Sequence, residues 1–445
     1  MAVIAVVVVA AIAATIGVAV WLQWRKDQIA PGEAAPVPVE ILVPASRSGD
    51  APDVAGLLAR FDQDSRLGDF VGQVTDVQTG QVLYSRGADR PLRPASLTKL
   101  VTGLAAVSVL PLSETVSTQV LRDAAEPGTV YLVGGGDVWI DEEAIADLAE
   151  IIVSGVPGSL VTRVIVDTSA WAGFPAWQPS WNPEDVAGGF IAPMEPLMMG
   201  VSPTPAFDVA RAVADQVADL QQVSRETISV EYGAVPAGEG VTVTVGSHPS
   251  DPLIDRLTQT IEHSNNIGAE ALARETVLAL MAASVGGDTG DSASRTIDPA
   301  TYPSVLLETV APYVAAAGDV TTGATGDAGV VLFDASGMSP DNRLTAGFVD
   351  GLLQAAAQDS RLSQLLFALP VGGGVGTLDE RMEGTPAQGW VRAKTGTLDG
   401  TSGLAGTVTA VDGSVFTFAF LSNGSNVLEA REALDEMASV LRALG

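Results

Sequence analysis

Ser96-Leu97-Thr98-Lys99-Leu100-Val101-Thr102-Gly103-Leu104-Ala105-Ala106-Val107 holds one of only three lysines in 445 residues; the others are Lys26 and Lys394. Pro91 and Pro94 precede it. Apolar residues at Leu100, Val101, Leu104 and Val107 then predict a buried helix that begins at Ala95 or Ser96. On a helix, positions i and i+3 share a face, so the Lys99 amine reaches over the Ser96 hydroxyl. A serine hydroxyl is a weak nucleophile until a base takes its proton. Lysine serves as that base only if burial or a neighbouring cation lowers its pKa. Alone, Ser-x-x-Lys is a weak signal, because a helix-capping serine followed by a surface lysine has the same spelling.

Two further segments change its weight. Lys394-Thr395-Gly396-Thr397 lies in a β-rich stretch. Gly396 lets a bound backbone approach a strand closely, and the threonine hydroxyls can hold a carboxylate. Ser264-Asn265-Asn266, by itself a turn signal, opens into the helical pattern Ile267-Gly268-Ala269-Glu270-Ala271-Leu272. Ser-x-x-Lys, Ser-x-Asn and Lys-Thr-Gly in this order form the three-part signature of penicillin-recognising serine enzymes.

From about Phe70 to the C-terminus the chain resembles the low-molecular-mass class C penicillin-binding proteins, the serine-type D-alanyl-D-alanine carboxypeptidases and endopeptidases. Leu92-Arg93-Pro94-Ala95, Gly134-Gly135-Gly136-Asp137 and Asp334-Ala335-Ser336-Gly337-Met338-Ser339 with Asn342-Arg343 add to the resemblance. So do Gly376-Thr377-Leu378 with Arg381 and Gly389-Trp390-Val391-Arg392-Ala393. The 168 positions from Ser96 to Ser264 leave room for the inserted domain that this subclass implies. Two departures are mild: Asn265 stands where Asp is commoner, and Ala335 where Gly is. Neither removes a catalytic group.

The resemblance implies an α/β (α+β) fold. Its core is penicillin-binding transpeptidase-like or β-lactamase-like, a sheet flanked by helices, with a large inserted domain between the first and second motifs. The catalytic domain is expected over 49–112 and 247–445, with the insertion over 113–246. The resemblance assigns Ser96 as nucleophile, Lys99 as general base, Ser264 as proton relay and Lys394 as electrostatic tuner. Asn266 would hold a substrate amide. Thr395, Gly396 and Thr397 would bind the strand-like peptide and its carboxylate. Backbone N–H groups of Ser96 and Thr397 would form the oxyanion hole. The implied partners are peptidoglycan stem peptides and β-lactams. A β-lactamase would share this chemistry, and a non-catalytic wall-binding protein would share the fold. The long insertion and the membrane segment oppose the first, and the intact catalytic positions oppose the second. Oligomeric state is not legible.

Composition narrows the field further. With 23 Lys+Arg against 53 Asp+Glu the net charge is −30, which excludes a generic nucleic-acid binder. No cysteine is present, so disulfides, thiolate catalysis and Cys-ligated metals are excluded. No H-E-x-x-H motif points to a metal, and no cofactor is expected. His248 and His263 suit no Ser-His-Asp triad, since no G-x-S-x-G elbow occurs.

Ala2 to Leu22 carries no charge and is long enough for the roughly 30 Å bilayer core. Trp21 and Trp24 sit at its end, followed by Arg25 and Lys26. Residues 1–26 read as a membrane anchor or signal segment, and the Pro/Ala-rich 27–48 as a linker. The catalytic part is expected outside the cytoplasm. The positive-inside rule would put Arg25 and Lys26 in the cytoplasm, and a basic leader upstream of Met1 would reconcile the two. Trp171, Trp177 and Trp181 are expected to pack the inserted domain. Periodicity also predicts a hairpin over Phe70–Val77 and Gln81–Ser85, a strand at Val330–Asp334 and a helical pattern from Pro252 to Met281. Three strands near the C-terminus and a last helix from Asn426 complete the pattern.

Overall fold

Residues 52–286, 297–317 and 329–444 are described by a computed structural model. The expected membrane segment and linker lie outside these residues. Among the described residues no helix is long and apolar enough to cross a membrane.

The chain starts with a short helix, α1 (Val54–Leu58), capped by the Asp53 carboxylate, which accepts from the Gly56 amide. The hairpin β1 (Asp69–Asp76) and β2 (Val82–Arg86) follows. Its turn is held by the Asp76 carboxylate, which accepts from the Thr79 amide at 2.8 Å. Ala95–Leu97 forms one 3₁₀ turn, and α2 (Thr98–Val109) continues from it. Every residue of α2 from Thr98 to Val107 is buried, as befits a helix apolar on nearly all sides.

Next come β3 (Ser117–Asp123), β4 (Thr129–Val133), α3 (Glu142–Gly155), β5 (Arg163–Asp167) and α4 (Glu184–Ala187). Then follow α5 (Pro205–Gln221), β6 (Ser229–Tyr232) and β7 (Thr242–Pro249). The helices α6 (Leu253–Glu262), α7 (Asn266–Gly286), α8 (Tyr302–Ala316), α9 (Ala346–Gln358) and α10 (Gln364–Phe367) lead into β8 (Val391–Leu398). The chain closes through β9 (Thr401–Thr409), β10 (Val415–Asn423) and α11 (Val427–Arg442).

Two five-stranded sheets result. The first runs β2-β1-β10-β9-β8 and is antiparallel throughout. Side chains alternate across a strand, so β10 serves two cores. Phe416, Phe418 and Phe420 join Leu434, Met437 and Leu441 of α11 on one face. Ala419 and Leu421 join Leu100, Leu104 and Leu352 on the other. This is the helix-flanked α/β architecture that the motifs imply. The second sheet runs β6-β5-β4-β3-β7, parallel across β4, β5 and β6 and antiparallel at β3. It packs on α3 and α5 around a core of its own that includes Leu132, Leu148, Val164 and Val213. The chain enters and leaves this unit through the paired neighbours β3 and β7.

Several elements differ from the periodicity. Val330–Asp334 is not a strand; it contributes only a bridge between Val331 and Arg343. The Asp334 carboxylate instead gathers the amides of Gly337 and Ser339, the Asn342 side chain and the Trp181 indole. The apolar pattern from 252 to 281 forms two helices, because Ser264 takes a left-handed conformation at φ 57° between α6 and α7. Asn265 then caps α7 by accepting from the Gly268 amide. Trp171 and Trp181 do not pack the second sheet's core. They are buried with Leu100, Leu272 and Tyr302 in the core beside the first sheet. The indole N–H of Trp181 and the stacking of Arg274 on Trp171 explain this placement, since both polar partners lie there.

Candidate active site

Ser96 sits in the 3₁₀ turn where the chain enters α2, after Ala95 at φ 48°. A non-glycine residue at positive φ costs on the order of 1–3 kcal/mol and persists only where the surroundings enforce it. One α-helical turn on, the Lys99 amine is fully buried and donates to Ser96 Oγ at 3.0 Å. It also donates to Asn266 Oδ1 at 2.7 Å and to the Ser336 carbonyl at 2.5 Å. An ammonium has three donors and fills all three contacts. A neutral amine keeps two N–H groups for Asn266 and Ser336, and its lone pair then faces the Ser96 hydroxyl.

The break between α6 and α7 delivers the second motif. Ser264 lines the cleft, and Asn266 opens α7 with its carbonyl on Lys99. The Asn266 amide donates to the Phe190 carbonyl at 2.9 Å. The amide expected to hold substrate therefore already positions the base. The third motif lies on β8. The fully buried Lys394 donates to Ser264 Oγ at 2.9 Å and to the Thr395 carbonyl at 3.0 Å. Two Ser–Lys pairs thus face one cleft.

Glycines allow the three motifs to meet. A Cβ on Gly396 would stand 2.6 Å from the Pro94 carbonyl oxygen. One on Gly337, at φ 86°, would stand 2.0 Å from that of Ala95. Strand β8 and the 334–339 loop therefore press directly on the turn that carries Ser96.

The cleft encloses about 820 Å³, and Ser96, Ser264, Asn266, Thr395 and Thr397 all line it. Residues that the motifs alone did not single out share its walls. Thr377 is hydrogen-bonded to Thr395 Oγ1 at 3.0 Å, and Arg431 of α11 donates to Thr397 Oγ1 at 2.9 Å. Behind Lys99, Glu270 accepts from the amides of Ala335 and Ser336. It also accepts from Arg274 at 3.0 Å and the Tyr302 hydroxyl at 2.5 Å. Glu270 lies four residues after Asn266 on α7, a helical spacing legible in the sequence; Arg431 has no such signal. Exposed His263 ends α6 at the cleft rim.

Burial is the main influence on the two lysines. It pulls the Lys99 pKa down to about 7, while Asp334 and Glu270 oppose the shift. Lys394 is held well below the usual lysine range, first by burial and then by the charges of Lys99 and Arg381. Lys99 therefore becomes a base through desolvation. The mutual repulsion of the two lysines is felt at Lys394.

This constellation has counterparts in known proteins. Residues 54–214 and 323–444 match the D-Ala-D-Ala carboxypeptidase 3 (S13) family. The chain belongs to that family. It is a hydrolase of the D-Ala-D-Ala carboxypeptidase type, a class C penicillin-binding protein. Carboxypeptidase DacB of Mycolicibacterium smegmatis is 37% identical over 433 residues, covering 92% of this chain and 87% of the relative. The crystal structure of penicillin-binding protein 4 from Haemophilus influenzae superposes with a TM-score of 0.65 at 17% identity. That match covers 87% of this chain and 98% of the other. The same protein complexed with a β-lactam gives 0.60 at 16%, over 87% and 98%. At these identities the structures speak for the fold alone: this S13 chain shares the architecture of penicillin-binding protein 4.

Proposed function

We propose that Ser96, Lys99, Ser264 and Lys394 carry acyl transfer from the penultimate D-Ala of a peptidoglycan stem peptide. Neutral Lys99 accepts the Ser96 proton as Oγ attacks the carbonyl carbon. Backbone N–H groups of Ser96 and Thr397 receive the developing oxyanion. The C–N bond breaks, and the leaving amine of the terminal D-Ala takes a proton from Ser264 Oγ, which is made good by the proton that Lys99 took from Ser96, so Ser264 acts as a relay and ends neutral. Because that oxygen already accepts from Lys394, its own hydrogen is the one left to give. Asn266 holds a substrate amide once the Phe190 carbonyl is displaced, and Thr395 and Thr397 receive the terminal carboxylate. Gly396 admits the peptide backbone against β8. Water then hydrolyses the acyl-enzyme.

The observation that carries this reading is the pair of Ser–Lys contacts, 3.0 and 2.9 Å, on one cleft. β-Lactams are proposed to acylate Ser96 by the same route. Labelled penicillin should modify wild-type protein at Ser96 and leave Ser96→Ala protein unmodified; a labelled alanine variant rules the assignment out. D-Ala release from a diacyl tripeptide, compared with cleavage of cross-linked muropeptides, measures the division between carboxypeptidase and endopeptidase action. The substrate lies outside the cytoplasm. The apolar segment at 2–22 is proposed to anchor the catalytic part to the membrane's outer face, and 113–246 to be the inserted domain.

A further inference from the structure

We propose that Arg431 sets the enzyme's requirement for a free C-terminal carboxylate, acting through the Thr397 hydroxyl and through its own charge. This rests on the acyl-transfer reading above and names the residue that selects the leaving group.

Arg431 projects from α11, an element that carries none of the three motifs, yet it lines the cleft beside β8. Its guanidinium donates to Thr397 Oγ1 at 2.9 Å. That hydroxyl oxygen is thereby engaged as an acceptor, and its hydrogen is left for a carboxylate in the cleft. A hydroxyl that accepts from a cation is also a stronger donor.

Among the described residues no carboxylate forms an ion pair with Arg431. Asp435, four residues on along α11, is taken by Arg381 through both of its oxygens, at 2.6 and 3.1 Å. Arg431 Nε is buried without a hydrogen-bond partner. Burial and the neighbouring Arg381 charge disfavour its cationic form, while Asp435 supports it. In a chain of net charge −30, an arginine kept unpaired beside a second cation is an unsatisfied anion receptor. A leaving group that ends in a carboxylate satisfies it, and one that ends in a carboxamide does not.

The test compares Arg431→Ala and Arg431→Lys with wild type on two substrate pairs. One is a diacyl-D-Ala-D-Ala peptide against its C-terminal carboxamide. The other is the rate at which Ser96 is labelled by a penicillin against the penicillin's methyl ester. For a lost charge-assisted contact, Arg431→Ala should lower kcat/KM on the free acid about 10- to 100-fold and on the carboxamide less than about threefold. Arg431→Lys should recover much of the loss. Each ratio is taken on one preparation, so the folded fraction cancels. Equal losses on acid and neutral partners, or no loss on either, overturn the proposal. A wild type that releases no D-Ala overturns the peptidase reading instead. The acid-to-ester labelling ratio then still decides the role of Arg431: a selective loss supports it, and an unchanged ratio refutes it.

Discussion

Lys99 is the residue whose chemistry depends most on its surroundings. Acylation needs its neutral form, and burial brings its pKa to about 7. Below that pH the amine is protonated and cannot accept the Ser96 proton. The acylation rate should therefore rise through about pH 7 and level off above it. Below pH 7 it should fall about tenfold per unit. A profile flat from pH 5 to 8 would exclude Lys99 as the base. Lys99→Arg keeps a cation that cannot deprotonate in this range, so loss of general-base catalysis should slow penicillin acylation about 10²- to 10⁴-fold. The pair Ser96 and Lys99 was legible from its i, i+3 spacing. The Ser336 carbonyl, which fixes the direction of the amine, was not, because backbone acceptors have no spelling.

Among the elements, α7 and the 334–339 loop form the support for that base. Glu270 binds two amides of the loop and Arg274 of its own helix, all buried. Glu270→Ala leaves the Arg274 charge buried without its carboxylate, which should cost about 3–5 kcal/mol. Denaturant unfolding measures the cost, and slower labelling of the folded fraction would show that Ser336 has shifted. Gly337 meets the Ala95 carbonyl so closely that Gly337→Ala must move one of the two backbones. Overpacking of this kind costs about 1–3 kcal/mol, and here the displaced turn carries Ser96. We expect slow acylation together with a lower Tm. Normal acylation kinetics in this variant would show that the turn tolerates the shift. The turn signal at Ser264-Asn265-Asn266 marked the place of the α6–α7 break; the left-handed backbone of Ser264, which sets the angle between the two helices, was not legible. Helix α8 carries two prolines; Pro303 sits in its first turn, where proline is tolerated, and Pro312 lies inside it.

In the molecule as a whole, the proposed insertion at 113–246 is not separable by cutting at its sequence limits. Trp171, Trp181, Ile191 and Met198 lie within 113–246 but are buried in the core that also holds Leu100 and Leu272. Each large apolar side chain contributes about 1.5–3 kcal/mol on burial, and a whole domain is stable by only about 5–15 kcal/mol. A chain lacking 113–246 should lose cooperative thermal unfolding and penicillin labelling together. A truncated chain that melts cooperatively and still labels would refute this dependence.

Residue type and local spacing were enough to point to the helix-flanked sheet, the family and the proposed chemistry. A buried Ser-x-x-Lys helix, a Ser-x-Asn turn and a Lys-Thr-Gly strand each carry their own short-range geometry. What depended on tertiary packing was every contact between segments far apart in the chain. Glu270 reaches the loop behind Lys99, Trp181 reaches Asp334 and Arg431 reaches Thr397. The physical reason is the same in each case. Desolvation and charge pairing are properties of a position in space, so no local pattern could record which lysine would be neutral or which arginine would be left without an anion.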